Sequence, residues 1–432
     1  MKIETRAQLI KSVEQPFPVY HYRWPNGLTL LYQPDHGAPI ISYQTWVKVG
    51  SAHERQGKTG IAHFFEHLMF KETTNYSDGE FDRILEEVGG EVNAATWLDW
   101  TYYYADLPSE HLEKIVKLEA DRLVNLALNT EVLEAERQVV MNERRECVED
   151  DPSELMSEYL WYNLMGEGHP YAHSTIGWMS DISKLSLEDC QAFYQSYYSP
   201  NQIVLVVSGD ADSNQLLSLI DRHYGEIPSC DPVKSLIYDS NHTPKKERGC
   251  LELKLELHTP RLHLGFRVPS ITDSHSVALE CLDELLFEGD SSRLYKKLVY
   301  DMEVASYVYS MLPQFRGEAV YEIGVELLPT IDPNLVIDEI MAELMKIADE
   351  GVTVAELKRV KLSKELNNYR CLQTVQQRAQ SLGFWQITAD DFTLNFSRLG
   401  QIDQVSSKEV KQIAQHMIQP ELSFVVIGLP TH

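Results

Sequence analysis

Residues 61–70 are Ile61-Ala-His-Phe-Phe-Glu-His-Leu-Met-Phe70, an apolar run that two histidines and one glutamate interrupt. The spacing of the apolar residues predicts a helix. Because an α-helix turns by about 100° per residue, His63 and His67 would lie about 40° apart, with Glu66 on the same side. Two imidazoles one turn apart can bind a zinc ion while a neighbouring carboxylate reaches a water on it. The alternative is a buried helix whose histidines bond to neighbouring residues, but this polar set on an apolar helix would be costly without a cation.

A catalytic zinc ion needs a third protein ligand, and a second predicted helix, over residues 130–149, carries two candidates. Its positions 132, 136, 139, 140 and 143 form one stripe at helical spacing, which would place Glu136 and Glu143 along a face with three valines. One glutamate could bind zinc while the other accepts a hydrogen bond from a ligand imidazole. The alternative is a solvated face on which the two glutamates pair with Arg137 or Arg144.

The composition excludes several classes of protein. The chain has 432 residues, 43% of them hydrophobic, and its 38 Lys+Arg against 65 Asp+Glu give a net charge of −27. We expect a soluble, folded protein of two or three domains. The charge argues against nucleic acid and anionic membranes as partners, and no apolar run reaches the roughly 18 residues of a membrane span. Because the N-terminus lacks the apolar core of a signal peptide, we expect a cytoplasmic location, or a periplasmic one if a presequence has been removed.

The order of predicted elements indicates an α+β unit that occurs twice. In the first half, the sequence predicts two strands of a hairpin (27–32 and 40–49), then helices (60–70, 79–88, 109–126, 130–149 and 187–197), then a buried strand (203–207). Strands at 250–256 and 261–268, and a helix and strand at 408–417 and 424–428, repeat this order at an offset of about 220 residues. The alternative is that a helix followed by proline and a strand is simply a common sequence. We predict similar domains at 1–223 and 250–432, joined by a linker at 224–249 that is rich in Pro and Gly.

The motifs together resemble a known family. His63-x-x-Glu66-His67 is followed by Glu143, 76 positions after His67, with Glu136 seven positions before Glu143. The segments Gly89–Tyr103 and His169-Pro-Tyr171 to Thr175-Ile-Gly177 also resemble segments of that family. The chain is therefore similar to the zinc peptidases with the inverted H-x-x-E-H motif, the family of pitrilysin, insulin-degrading enzyme and mitochondrial processing peptidase.

The resemblance implies a fold and a set of residue roles. The fold would be two homologous αβ-roll domains, each an antiparallel-rich sheet covered by helices, which together make half of a clamshell. His63, His67 and Glu143 would bind one Zn²⁺ per chain, Glu66 would be the general base on zinc-bound water, and Glu136 would support the site. Asn93 and Ala94 would lie on an exposed edge strand that pairs with a peptide substrate. The alternative for that segment is an ordinary strand.

The chain departs from the family at a second substrate site. Complete members supply an arginine and a tyrosine, seven residues apart, from another part of the clamshell. Here Tyr307 stands at the tyrosine position and would bind substrate, but Tyr300 stands at the arginine position, and the nearby Arg293 is out of register. Because long members carry four such α+β units in one chain and this chain has two, the resemblance implies a second chain. We favour a heterodimer with a related subunit that carries the arginine and tyrosine, over a homodimer.

Three functions remain open at this point. The favoured one is a zinc endopeptidase that acts on unfolded peptides, and the charge of −27 suggests that these peptides are basic. The second is a non-catalytic structural or assembly subunit of the same fold. The third is a zinc hydrolase for a non-peptide amide, which fits the edge-strand segment less well.

Overall fold

Contacts divide the protein into two compact units. The structure, a computed structural model, describes residues 5–231, 236 and 248–431. The first unit comprises Met1–Asn142, Ser174–Leu236 and Tyr369–Phe396, and the second comprises Glu143–His173, Ile237–Asn368 and Ser397–His432. Residues 232–235 and 237–247 of the linker predicted at 224–249 lie outside the described residues.

The first unit is built on a seven-stranded sheet with the order β1-β2-β3-β7-β4-β6-β5. Its strands are β1 (Gln8–Val13), β2 (Val19–Arg23), β3 (Thr29–Pro34), β4 (Ile40–Val47), β5 (Glu91–Thr96), β6 (Thr101–Pro108) and β7 (Ile203–Gly209). Every residue of β7 is buried, as expected for a strand rich in Val that is covered on both faces. The strand β5 ends the sheet order beside β6, so it lies at an edge.

The hairpin predicted between residues 27–32 and 40–49 is wrong. The strand β7 separates β3 from β4: it pairs with β3 in parallel, with Leu31 opposite Val206, and with β4 antiparallel, with Thr45 opposite Leu205. The uninterrupted apolar run of β7 is best buried at the centre of the sheet. This pairing joins residues far apart in the chain, so the local turn between β3 and β4 gives no sign of it.

Helices cover the two sheets and join their strands. Within the described residues they are α1 (Ile61–Leu68), α2 (Glu80–Glu86), α3 (Leu112–Asn125), α4 (Thr130–Arg144), α5 (Pro152–Met165), α6 (Met179–Ile182), α7 (Leu187–Tyr197), α8 (Ser213–Tyr224), α9 (Ser276–Phe287), α10 (Arg293–Tyr295), α11 (Pro333–Glu350), α12 (Val354–Cys371), α13 (Val375–Ala389), α14 (Leu394–Gln404) and α15 (Ser407–Met417). Single π-helical turns follow α4 (Arg145–Glu149) and α10 (Lys296–Asp301). In the described part of the chain, no helix combines the length and apolarity needed to cross a membrane.

The second unit repeats the topology of the first. Its strands are β8 (Gly249–Leu255), β9 (Arg261–Val268), β10 (Ala305–Met311), β11 (Ala319–Leu327) and β12 (Ser423–Pro430). They form a sheet of order β10-β11-β9-β12-β8, in which β8 and β12 are parallel. Without β1 and β2, the first sheet has the same order, β5-β6-β4-β7-β3, with its parallel pair in the same place. The predicted α+β class and its duplication are confirmed.

The two units exchange chain segments. Helix α5, from the first half of the sequence, packs on β9 and β12, where Gly265 allows the Leu160 side chain to approach its Cα. Helix α13, from the second half, packs on β4 and β7, where Gly383 lies against the indole of Trp46. The contiguous domains at 1–223 and 250–432 therefore remain a prediction, because the compact units cross those boundaries.

Candidate metal centre

Helix α1 confirms the predicted helix and presents its polar residues together. Ile61, Ala62, Phe64, Phe65 and Leu68 are buried. His63, Glu66 and His67 are partly exposed on the remaining face. The apolar residues thus fix the helix against the core, and the three polar side chains share the opposite face.

A glutamate and a glycine fix the start of α1. Glu54 accepts hydrogen bonds from the backbone N–H groups of Gly60 and Ala62, both at 2.8 Å, which satisfies donors that a helix N-terminus leaves unpaired. Burial raises the pKa of Glu54 well above its usual value, although both N–H groups oppose this. Gly60 has a φ of +87°, and a Cβ there would lie 2.4 Å from the carbonyl oxygen of Ile176, so the position requires glycine.

The structure brings together the three residues predicted to bind zinc. His63, His67 and Glu143 each offer one ligand atom, and these atoms lie within 4.8 Å of one another. Glu143 is in the last turn of α4, and this helix carries it to α1. Two imidazoles and one carboxylate are a donor set of catalytic zinc sites, which keep a fourth position for water. The donor set therefore fits a zinc ion.

The face of α4 differs from the prediction at one position. Leu133, Glu136 and Val140 are buried, whereas Val139 is 48% exposed. The predicted stripe is wrong at Val139 because the buried face follows positions 133, 136, 137 and 140. Glu136 lies on the buried face, as predicted.

Glu136 connects His67, one of the predicted metal ligands, to a lysine. Its Oε1 lies 3.0 Å from Nδ1 of His67, and its Oε2 lies 2.8 Å from Nζ of Lys71. Burial opposes ionisation of Glu136, but the bonds to His67 and Lys71 outweigh it and lower the pKa of the carboxyl group. A hydrogen bond from Nδ1–H to Glu136 leaves Nε2 of His67 for a metal. Lys71 was not predicted, although it follows His67 by four residues, the spacing of helical neighbours.

The alternative partners for the two glutamates are engaged elsewhere. Arg137 donates to the carbonyl oxygens of Ile182 and Leu185, both at 2.7 Å. Arg144 forms two 2.9 Å bonds with the carboxylate of Glu158. Both arginines are buried, so α4 does not present them on the solvated face that the alternative requires.

The predicted base and the predicted substrate strand lie side by side. The hydroxyl of Thr96, the last residue of β5, donates to Oε2 of Glu66 at 2.5 Å. On the same strand, Asn93 is exposed and Ala94 is half-buried, and they pair with Tyr104 and Tyr103 of β6. The edge position expected for this segment is confirmed. Thr96 was not predicted, and only the fold shows that it meets Glu66.

The residues predicted for a second substrate site lie in the second unit. Tyr307 is an exposed residue of the edge strand β10, and Tyr300 is exposed in the π-helical turn at Lys296–Asp301. Arg293 donates to Glu343 at 2.8 Å and to both carboxylate oxygens of Glu356 at 2.8 and 3.0 Å. These bonds give Arg293 a structural role, in agreement with the prediction that it does not occupy the position of the family's substrate-binding arginine.

Comparisons with known proteins agree with this geometry. The family model described as "Insulinase (Peptidase family M16)" matches residues 29–177, which contain the whole candidate site, and the model described as "Peptidase M16 inactive domain" matches residues 184–364. The zinc protease PqqE of Helicobacter pylori is 33% identical over 343 residues, which cover 79% of this chain and 77% of that protein. A solved structure of a protease from Helicobacter pylori is 28% identical, with a TM-score of 0.89, over 98% of this chain and 100% of the other. Pitrilysin shares the fold at a TM-score of 0.81 and 18% identity, and the match covers 99% of this chain and 47% of pitrilysin.

Proposed function

The chain belongs to peptidase family M16, and from that premise we propose that it is a zinc endopeptidase that cleaves unfolded peptides. The observation that carries the proposal is the group of His63, His67 and Glu143, whose ligand atoms lie within 4.8 Å of one another beside Glu66. This group combines the ligands of a catalytic zinc ion with a carboxylate on the same helix face.

Each site residue has a defined task in the proposed reaction. His63, His67 and Glu143 would hold one zinc ion, and Glu136 would keep His67 in the tautomer that binds it. Zinc, when bound, lowers the pKa of its water to about 7 and polarises the scissile carbonyl. Glu66 would accept the proton of that water and then pass it to the departing amine.

The edge strand β5 would hold the substrate. A peptide that adds to β5 as a further strand brings its scissile carbonyl to the metal in a fixed register. The backbone N–H of Ala94 donates to the side chain of Asn93 at 2.8 Å, and a substrate carbonyl could replace this local acceptor. Main-chain recognition of this kind suits extended, unfolded peptides of varied sequence.

The proposed active form is a heterodimer with a related subunit. The chain spans 47% of pitrilysin and has Tyr300 where complete family members have the substrate-binding arginine. A related subunit would supply the arginine and tyrosine, and Tyr307 would contribute on this chain's side. We expect the isolated chain to bind zinc but to cleave peptides poorly. Robust cleavage by the isolated chain would contradict the heterodimer and favour a self-sufficient homodimer.

The net charge of −27 supports basic peptides as the preferred substrates. Matched basic and acidic peptides, compared at low and high salt, test this preference. We expect faster cleavage of the basic peptide and a smaller difference at high salt. Equal rates at low salt would show that the charge serves solubility alone.

A non-catalytic subunit is the second candidate function, because residues 184–364 match the domain described as inactive. Replacement of Glu66 separates the two functions. In the native complex, purified with its partner, we expect Glu66→Gln to keep its zinc, measured by mass spectrometry, and to lose hydrolysis of fluorogenic peptides. Glu86→Gln, at an exposed position of α2, is the matched control and should leave both unchanged. A wild-type complex that binds zinc but cleaves none of a broad peptide library would support the non-catalytic subunit.

A further inference from the structure

We infer that Thr96 is a positioning residue that holds the carboxylate of Glu66 in the orientation needed to accept a proton; this inference rests on the proposed function. The Thr96 hydroxyl donates to Oε2 of Glu66 at 2.5 Å, and Thr96 is 8% exposed. A bond from a hydroxyl to a carboxylate is among the stronger hydrogen bonds in proteins. It occupies one oxygen of Glu66 and leaves Oε1 for the proton of the attacking water.

The backbone that follows Thr96 is fixed from outside its own hairpin. Ser51 N–H donates to the carbonyl oxygen of Trp97 at 3.1 Å, and Ala52 N–H donates to that of Leu98 at 2.9 Å. Gly50 permits this contact, because a Cβ there would lie 2.2 Å from the Trp97 oxygen. The turn between β5 and β6 therefore cannot shift without breaking its hydrogen bonds to Ser51 and Ala52.

The same segment of chain also fixes the helix that carries the base. Glu54, two residues beyond Ala52, accepts the N–H groups of Gly60 and Ala62 at the start of α1. Residues 50–54 thus bind both the turn after Thr96 and the helix that leads to Glu66. They hold the backbone on both sides of the hydrogen bond between Thr96 and Glu66. The distance between the Thr96 hydroxyl and the Glu66 carboxylate is therefore set by the backbone as well as by the two side chains.

The loss of this bond should affect the chemical step more than substrate binding. The terminal torsion of a glutamate is broad, so without the hydroxyl the Glu66 carboxylate would rotate among several orientations. A misplaced catalytic group costs about 10- to 100-fold in rate. Peptide binding through the main chain of β5 does not use the Thr96 hydroxyl, so KM should change little.

The test compares three variants of the native complex. Thr96→Val removes the hydroxyl at nearly constant shape, and we expect kcat to fall 10- to 100-fold with KM within about twofold. Thr96→Ser keeps a hydroxyl and should recover most of kcat, a rescue that a packing role would not give. Thr353→Val is the matched control, because it removes the same kind of bond, from a threonine hydroxyl to the carboxylate of Glu356 at 2.7 Å, in the second unit. It should keep the wild-type kcat.

The outcomes distinguish this inference from the proposed function. If Glu66→Gln removes hydrolysis but Thr96→Val retains the wild-type kcat, Thr96 does not position the base. If Glu66→Gln retains hydrolysis, the proposed function itself fails. If Thr96→Val does not fold, Thr96→Ala replaces it, with zinc content and circular dichroism as the checks on structure.

Discussion

Arg144 and Glu158 form a buried ion pair directly after a proposed zinc ligand, and we predict that breaking it weakens both folding and metal binding. Both side chains are 5% exposed, and two parallel bonds of 2.9 Å join the guanidinium to the carboxylate. Arg144 adjoins Glu143 at the end of α4, whereas Glu158 lies in α5. The pair therefore anchors the last turn of α4, the turn that carries Glu143.

The burial of the pair sets the size of the expected effect. Arg144→Met would leave Glu158 as a desolvated and uncompensated charge, which costs about 3–5 kcal/mol. The double variant, Arg144→Met together with Glu158→Leu, leaves no unpaired charge. Its free energy of unfolding should therefore lie within about 1 kcal/mol of the wild-type value. Arg144→Lys keeps the charge but loses the two parallel bonds, and we expect an intermediate loss.

Urea denaturation and zinc competition measure the two consequences. The free energies of unfolding of the wild type, both single variants and the double variant give the coupling energy of the pair. Competition with a chelator gives the zinc affinity, which we expect to fall about 10- to 100-fold in Arg144→Met, as for other residues that hold a metal ligand. A loss below 1 kcal/mol in Arg144→Met, or a double variant less stable than either single variant, would refute the reasoning.

Substitutions at four further positions test separate features of the fold and site. Lys71→Met removes one of the two partners of Glu136, so we expect zinc affinity, measured by chelator competition, to fall about tenfold, whereas Lys71→Arg should keep most of it. Burial raises the pKa of Asp106 to about 6, so its folded form favours the protonated carboxyl, and the wild type loses stability as the pH rises from about 4 to 6. Asp106→Asn cannot ionise, so between about pH 4 and 6 its free energy of unfolding, measured by urea denaturation, should rise by on the order of 1 kcal/mol relative to that of the wild type. If the difference in stability between variant and wild type is the same at both pH values, the pKa of Asp106 is not raised. Gly383→Ala places a Cβ 2.1 Å from a buried indole nitrogen and should destabilise the fold by about 1–3 kcal/mol, whereas Gly400→Ala, with nothing within 4 Å, should stabilise α14 by about 0.5–1 kcal/mol, both measured by thermal unfolding.

The features predictable from sequence are those that local spacing determines. His63, Glu66 and His67 lie within one turn of a helix, so the geometry of α1 alone decides that they share a face. Glu136 and Glu143 are likewise placed on one side of α4 by their spacing of seven residues, about two helical turns. The meeting of the two helices, however, rested on the need for a third zinc ligand and on the family resemblance, because nothing local states which helix packs beside α1.

The features that could not be predicted depend on distant parts of the chain. The placement of β7 between β3 and β4 joins residues about 160 to 175 positions apart, and the packing of α5 and α13 on their sheets joins residues about 100 or more positions apart. Thr96 belongs to this class as well. Its hydroxyl could face either side of a strand, and only the position of α1 above β5 brings it to Glu66. Side-chain alternation limits the choice to two faces but does not identify the neighbour on either face.

The duplicated topology allows the helices of the proposed metal centre to be compared with their counterparts in the second unit. Helix α9 in the second unit stands where α1 stands in the first, after the second strand of the common sheet, and α12 stands where α4 stands. On α9, Glu284 is 3% exposed, and its Oε2 lies 3.1 Å from Nζ of Lys364 on α12. An ammonium group thus links the two helices of the second unit that correspond in chain order to α1 and α4, and it compensates the buried carboxylate. Within the residues that the structure describes, the group of His63, His67 and Glu143 is the one that could hold a metal ion. Because the group of His63, His67 and Glu143 is the proposed zinc site and the corresponding helices of the second unit are joined by an ion pair, we expect one zinc ion per chain, and a measured ratio of two would contradict this assignment.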